Sequence, residues 1–237
     1  MDADAPLTPG SPAWWEARRT RPRRSSALTA ERIVDAAIDL LDSQGLDAFT
    51  MRRLAQWLDT APGSLYRHFE SRDAVLVAVH DHLIGAELDT AANSGTGVGA
   101  LADLPRRQYR LLRRRPYLAS VWRTTEQLGP NALRAREHAL QLILDTGLSP
   151  QSAARVYLTL LHYTIAFADM RHALQRRTPQ QRQATRRYFA TLDEREFSAV
   201  RGLARELVEV DVDDEFELGL QAVLEHISRL IDQQSPT

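Results

Sequence analysis

The chain has 237 residues, no cysteine, 43% hydrophobic and 26% charged residues, and a formal charge of −1. That length gives one or two domains with ample material for a core, and the missing cysteine excludes disulfides, thiolate metal sites and cysteine nucleophiles. No apolar run is long enough to span a bilayer, and Met1-Asp2-Ala3-Asp4 opens acidic with no apolar region after it, so neither a membrane protein nor a secreted one is expected and the cytoplasm is.

The near-zero charge hides an asymmetry. Arg18, Arg19, Arg21, Arg23, Arg24, Arg32, Arg52, Arg53, Arg67 and Arg72 crowd the front. Asp193, Glu194, Glu196, Glu206, Glu209, Asp211, Asp213, Asp214, Glu215 and Glu217 crowd the back. A basic front and an acidic back fit nucleic acid at one end only. No lysine occurs, so the choice of arginine at a given site carries little information.

Residues 1–28 are rich in Pro, Ser, Ala and Arg without a period, which predicts a disordered basic arm. Such an arm is either a solvated charge run or one that follows phosphates and enters a minor groove. Trp14-Trp15 is unusual there and is expected to fold onto the protein's own surface. A first long helix is predicted over Thr29–Ser43, with Ile33, Ala36, Ala37, Leu40 and Leu41 on one stripe and Gly45 as its stop.

Phe49–Phe69 then reads as two short helices joined by a tight turn. Thr50 is a good N-cap, Leu54, Ala55 and Leu58 share a face, and Pro62 suits a first helical turn. Leu65 and Phe69 face inward and leave Ser64, Tyr66, Arg67 and His68 outside. That is a helix-turn-helix able to lay its second helix in the major groove of double-stranded DNA.

A helix follows from a Ser71 cap through Ala74, Val75, Val79 and Leu83, and the small residues of 91–99 mark a boundary. The second half predicts helices over about 100–114, then after Gly129-Pro130 to Gly147, then a long one from Ser149-Pro150, apolar on more than one side. Thr178-Pro179 opens another, Asp193 with Glu196 reads as a capping pair for Phe197–Val208, and a last helix carries Phe216, Leu220, Val223, Leu224, Ile227 and Ile231. The expected fold is all-α, with a DNA-binding domain over 29–90 and a larger helical domain over 100–233. The long helix from Pro150 and the last helix, whose stripe is left over once a core is closed, are expected to pair with those of a second copy of the chain in an intermolecular four-helix bundle.

Between Thr50 and Phe69 the residues run T-x-R-x-L-A-x-x-L-x-x-x-x-x-S-L-Y-x-H-F, after the helix Ile33–Leu41 and before Ser71–Leu76. Over roughly residues 29–85 the chain resembles the TetR family of bacterial transcriptional regulators. Asp59 stands where that family usually has Gly, and Asp tolerates a left-handed turn better than most residues. The order Gly129-Pro130, Gly147, Ser149-Pro150 and a long apolar helix is similar to the tetracycline-repressor type of C-terminal domain. The resemblance implies a homodimer, a small-molecule inducer bound by the second domain, and a pseudo-palindromic operator read by two heads. The metal-holding histidine of the tetracycline site has no counterpart around Trp122–Glu126, so tetracycline is not implied, and neither is a metal or other cofactor.

Arg52, Arg67 and Ser64 are the base-reading candidates, because a guanidinium fork matches guanine O6 and N7. Thr50, Tyr66 and His68 suit phosphate oxygens, as do Arg53 and Arg72; Thr60 joins this set, and Pro62 and Gly63 permit close approach and contact with a thymine methyl. Tyr117, Trp122, His138, His162, Tyr163, Phe167 and Met170 are candidates for a ligand cavity, against the plainer reading that they make core. His80-Asp81-His82 invites a metal, but adjacent positions do not share a helix face. No phosphate loop, H-E-x-x-H or G-x-S-x-G occurs, which argues against an enzyme. The function expected is a repressor released by an inducer. The alternatives are an activator and a sensor without DNA binding.

Overall fold

The computed structural model describes residues 7–20, 28–91, 97–124 and 126–234, and no strand occurs among them. The helices in chain order are α1 Pro12–Thr20, α2 Ala30–Gln44, α3 Met51–Trp57, α4 Pro62–Tyr66, α5 Arg72–Ala91, α6 Gly97–Arg114, α7 Tyr117–Thr124, α8 Pro130–Leu144, α9 Pro150–Gln175, α10 Pro179–Ala190, α11 Glu194–Gly202, α12 Glu206–Glu209 and α13 Val212–Gln234.

Side-chain caps start several of them where the sequence places a hydroxyl. Thr29 accepts from the Arg32 amide, Thr50 from the Arg53 amide and Ser71 from the Ala74 amide. Ser149 and Thr178 do the same for α9 and α10, each with a proline just inside the helix. Gly45, with a φ of 77°, ends α2 by donating its amide to the Leu41 carbonyl.

The front core closes around Phe49 and Phe69. Ile33, Ala37, Leu40 and Leu41 from α2, Leu54 and Ala55 from α3, Leu65 from α4 and Val75 and Val79 from α5 are all buried in it. α5 packs on α2, on α7 and on α8, so it runs from the front core into the second domain. There α9 is central, with α6, α7, α8 and α13 against it. Pro105 interrupts the hydrogen-bond ladder inside α6.

Three expectations change. The segment expected as a disordered arm contains α1, because Trp14 is 3% exposed and anchors it in the core, with Ser11 capping the Trp14 amide. Arg21, Arg23 and Arg24 lie outside the described residues. The segment expected as one helix from Phe197 to Val208 is broken: Phe197 is non-helical at φ −125°, ψ 35°, Asp193 accepts from the Arg195 amide, and α11 and α12 are separate.

The third change concerns the last helix. Phe216, Leu220, Leu224 and Ile227 are buried inside the single chain, not left over for a partner. Phe216 stacks on Tyr109 at 4.0 Å and its carbonyl accepts from the Tyr163 hydroxyl at 2.7 Å. Asp213, at the start of α13, accepts from Tyr109, Arg113 and Arg171, each at 2.7 Å. Burial alone would raise its pKa; the Tyr109 hydroxyl and the two guanidiniums overcome that and hold it below the usual carboxylate range.

Candidate nucleic-acid interface and ligand cavity

The turn between α3 and α4 is built on Asp59, the one non-glycine residue with a positive φ (49°) among those described. The Thr60 amide then donates to the Ala55 carbonyl at 2.9 Å, which crosses the two helices closely where Ala55 has little side chain. Leu65 and Phe69 point inward from α4 and the residue stretch after it, and both are buried. The opposite side shows Pro62, Gly63, Tyr66 and Arg67 exposed and Ser64 and His68 half-buried. Thr50, Arg52 and Arg53 are exposed at the start of α3, and Thr60 is half-buried in the turn. Arg67 donates to the Ser64 hydroxyl at 3.0 Å, which holds its fork along the outer face. These residues form one surface of exposed cations, hydroxyls and an imidazole on a helix short enough to enter a groove.

Arg72 belongs elsewhere. Its Nε donates to the Phe49 carbonyl at 2.9 Å and its Nη2 to the Leu46 carbonyl at 3.1 Å, while Nη1 lies 3.4 Å from Asp73. The guanidinium clips the loop before α3 to the start of α5, so its donors are directed at protein and its role as a phosphate contact is not what the geometry favours. The exposed Gln56 and Trp57, on the last turn of α3, escape a reading based on the family pattern.

The second domain holds a cavity of about 140 Å³ between α5, α6, α8 and α9. Ile84, Leu88, Leu104, Leu111, Trp122 and Leu161 make its apolar wall, and Ala132, Ala135 and Ala139 leave room along α8. Glu87, Arg107, Gln108, Gln127, Arg136 and Tyr157 bring polar atoms to it. Arg136 donates to the Tyr157 hydroxyl and to the Gln127 carbonyl, each at 3.3 Å, both of them neutral oxygens. A space of about 50 Å³ adjoins it beside Pro105, sharing Leu104, Gln108, Ala139, Tyr157 and Leu161.

Of the expected ligand residues, only Trp122 lines this cavity. Tyr163 and Phe167 pack on Phe216 between α9 and α13, and His162 and Met170 are exposed on α9. His138 is half-buried on α8 outside the cavity wall, with a buried Nε2 that has no hydrogen-bond partner. Tyr117 donates to Asp42 at 2.9 Å, and Arg115 grips the same carboxylate at 2.9 Å, tying the end of α2 to the turn before α7. Burial, then that hydrogen bond, pushes the Tyr117 hydroxyl well above the usual tyrosine range. The aromatic residues drew attention in the sequence because aromatic side chains serve core and cavity alike. The readable sign of the cavity was the alanine row on α8, whose spacing of three and four removes side-chain volume from one face.

His80, Asp81 and His82 diverge. The His80 ring meets Trp122 edge-on at 4.9 Å and is buried, Asp81 points to the start of α8, and His82 faces Asp35 at 3.7 Å. Asp81 accepts from the Asn131 and Ala132 amides at 3.1 and 2.9 Å, capping α8 from another helix.

Two family descriptions match the chain: "Bacterial regulatory proteins, tetR family" over residues 33–79, and "Tetracyclin repressor-like, C-terminal domain" over residues 91–231. The transcriptional repressor DrrR1 of Streptomyces coeruleorubidus is 31% identical over 157 residues, which are 65% of this chain and 58% of that protein. A transcriptional regulator of Saccharopolyspora erythraea is 30% identical over 162 residues, 66% of each chain. The chain thus matches less than two thirds of the length of these two relatives. The crystal structure of the Streptomyces coelicolor protein ActR in complex with actinorhodin superimposes with a TM-score of 0.76 at 28% identity, covering 89% of this chain and all of that one.

Proposed function

Because the chain belongs to the TetR family of bacterial transcriptional regulators, which are not enzymes, we propose that it is a repressor released from its operator by a small molecule. The DNA-reading surface is that of Arg52, Ser64 and Arg67 for bases, with Thr50, Arg53, Thr60, Tyr66 and His68 toward phosphates and Pro62 and Gly63 at the closest approach. The inducer enters the cavity between α5, α6, α8 and α9. Its chemistry follows from the wall: a flat apolar body against Trp122 and the alanine row, and an acceptor or anionic edge toward Arg136.

The observation that carries this reading is the course of α5. It packs on α2 in the reading head, and its later residues Ile84, Glu87 and Leu88 line the cavity. Anything that displaces those residues tilts the head. A homodimer places two heads about 34–36 Å apart on a pseudo-palindrome. A ligand that binds better to the state with badly spaced heads lowers DNA affinity by the same coupling. A relative described as a repressor and one crystallised with a small molecule support the reading.

Mapping the genomic sites bound by the full chain, with expression of the adjoining genes measured after its deletion, tests this. Expression should rise at the bound sites. A uniform fall makes the chain an activator, and no bound site at all overturns the DNA-reading role.

A further inference from the structure

α1 lies outside both family-matched spans, which begin at residue 33, and it touches both functional halves. At one side, Trp14 Nε1 donates to Glu70, and Arg18 donates to the His68 carbonyl at 3.1 Å, where the chain leaves α4. The Arg18 guanidinium lies 4.4 Å from the Phe69 ring centroid and 4.8 Å from that of Trp14, so it is held between two aromatic faces. At the other side, Trp15 meets Gly129, the residue that opens α8. A Cβ built on Gly129 would overlap Asp81 Oδ1 and lie 2.8 Å from Trp15 Cζ2, so glycine lets both the carboxylate and the indole close on the start of α8. Trp14 and Trp15 meet edge-on at 4.7 Å and join the two contacts within one helical turn.

The α8 side is also where the cavity ends. Asp81 holds the first amides of α8 at Asn131 and Ala132, and Ala132 lines the cavity. Next to Asp81, His80 backs Trp122, another wall residue. We infer that α1 is a strap: Trp14, Trp15 and Arg18 are positioning residues that tie the end of the reading helix to the start of α8, and so couple the head to the ligand cavity by a route that does not run along α5. The strap rests on the DNA-reading function proposed above only for its biological use. Its mechanical claim is that a cut at either end loosens the other.

Amide hydrogen exchange on the full chain without DNA tests that claim. Trp15→Ala removes the contact at α8 and is read at the His68 and Phe69 amides, which bond to the Leu65 carbonyl. Arg18→Met removes the contact at the head and is read at the Asn131 and Ala132 amides. Each should exchange roughly tenfold faster, within the range of couplings between distant sites. Trp15→Phe keeps a ring there and should restore wild-type protection. The double variant should be no worse than the stronger single one, because a strap cut twice is still one cut strap. Exchange that changes only at the cut end, or effects that add, would make α1 mere local packing and overturn the inference. A duplex selected from random sequence separates the two proposals. If the chain selects no sequence but the far-end response is present, the strap stands and the DNA-reading function falls. If a sequence is selected and the far end is silent, the strap falls alone.

Discussion

Burial holds the His80 imidazole neutral, with its pKa pushed down to about 4 from 6.5. Between those two values the unfolded chain binds a proton that the native one does not, so the stability His80 contributes is complete above pH 6.5 and is lost as pH falls toward 4. From pH 7 to pH 5 that loss is about 2 kcal/mol. Burial raises the Asp81 pKa, which acts in the opposite sense in acid, and that part is common to wild type and any variant that spares Asp81. His80→Phe should therefore remove the wild-type excess loss between urea midpoints at pH 7 and pH 5; an unchanged pH dependence sinks the assignment. Arg67 in the reading surface and Arg72 beside it separate in the same residue-by-residue way. Arg67→Ala should lower operator affinity by about 1–3 kcal/mol and relax the preference at one base step, whereas Tyr66→Phe should weaken all sequences alike. Arg72→Ala leaves the Phe49 carbonyl without its side-chain donor and takes one of two donors from the Leu46 carbonyl, which keeps the Phe49 amide. It should cost about 1–3 kcal/mol of folding stability, and a thermal melt identical to wild type would return Arg72 to the list of phosphate contacts.

At the scale of helices, the sequence was most readable where a local signal and a tertiary need agree. Thr50, Asp59, Pro62, Leu65 and Phe69 each follow from a cap, a turn or a spacing, and each sits where that logic puts it. α1 was not readable, because its stability comes from Trp14 entering a core built by later helices and bonding Glu70, 56 positions on, and no period of its own announces it. The break at Phe197 was hidden for the opposite reason: capping and composition around Asp193 permit a helix, and nothing local marks the kink. The cavity was half-legible, as an alanine row on α8 whose missing volume only the placement of α6 and α9 turns into space. Its chemistry can be tested with two dyes of one ring system, anilinonaphthalene sulfonate and its uncharged parent phenylnaphthylamine. The sulfonate should bind tighter and quench Trp122, and Arg136→Met should remove that advantage, roughly tenfold for a charge-assisted pair, while leaving the neutral dye unchanged. Equal affinity of the two dyes for the wild type removes the anionic preference; failure of either dye to quench Trp122 removes the cavity as a ligand site.

At the scale of the whole molecule, the homodimer proposed above needs an uncovered face for a second copy to dock on. The buried stripe of α13 is closed by α9 and by Tyr109 of α6 on Phe216, so it is unavailable as a seam, and Leu224, 7% exposed, is a core residue. The outward faces of the same two helices are different. Leu218 on α13 is 75% exposed and Leu158 on α9 is 45% exposed, although both are leucines on long regular helices. No residue of α10, α11 or α12 is buried, and Leu203, Leu207 and Val210 remain open to solvent beside them. Leucines left open on long packed helices often mark an interface, and a two-fold axis along α9 and α13 would cover Leu158 and Leu218 on both copies. Two substitutions of the same chemistry then have opposite fates. Leu224→Glu buries a carboxylate without a partner and should lower folding stability by several kcal/mol, roughly 3–5, whatever the oligomeric state. Leu218→Glu touches little within its own chain, so its monomer should keep wild-type helicity while the dimer is lost, because the new charge meets its own copy across the axis. Sedimentation with circular dichroism on both variants decides. A Leu218→Glu chain that sediments as a dimer and binds operator like wild type moves the seam off α13, toward the open face of α10–α12, where Leu203→Glu and Leu207→Glu make the next test.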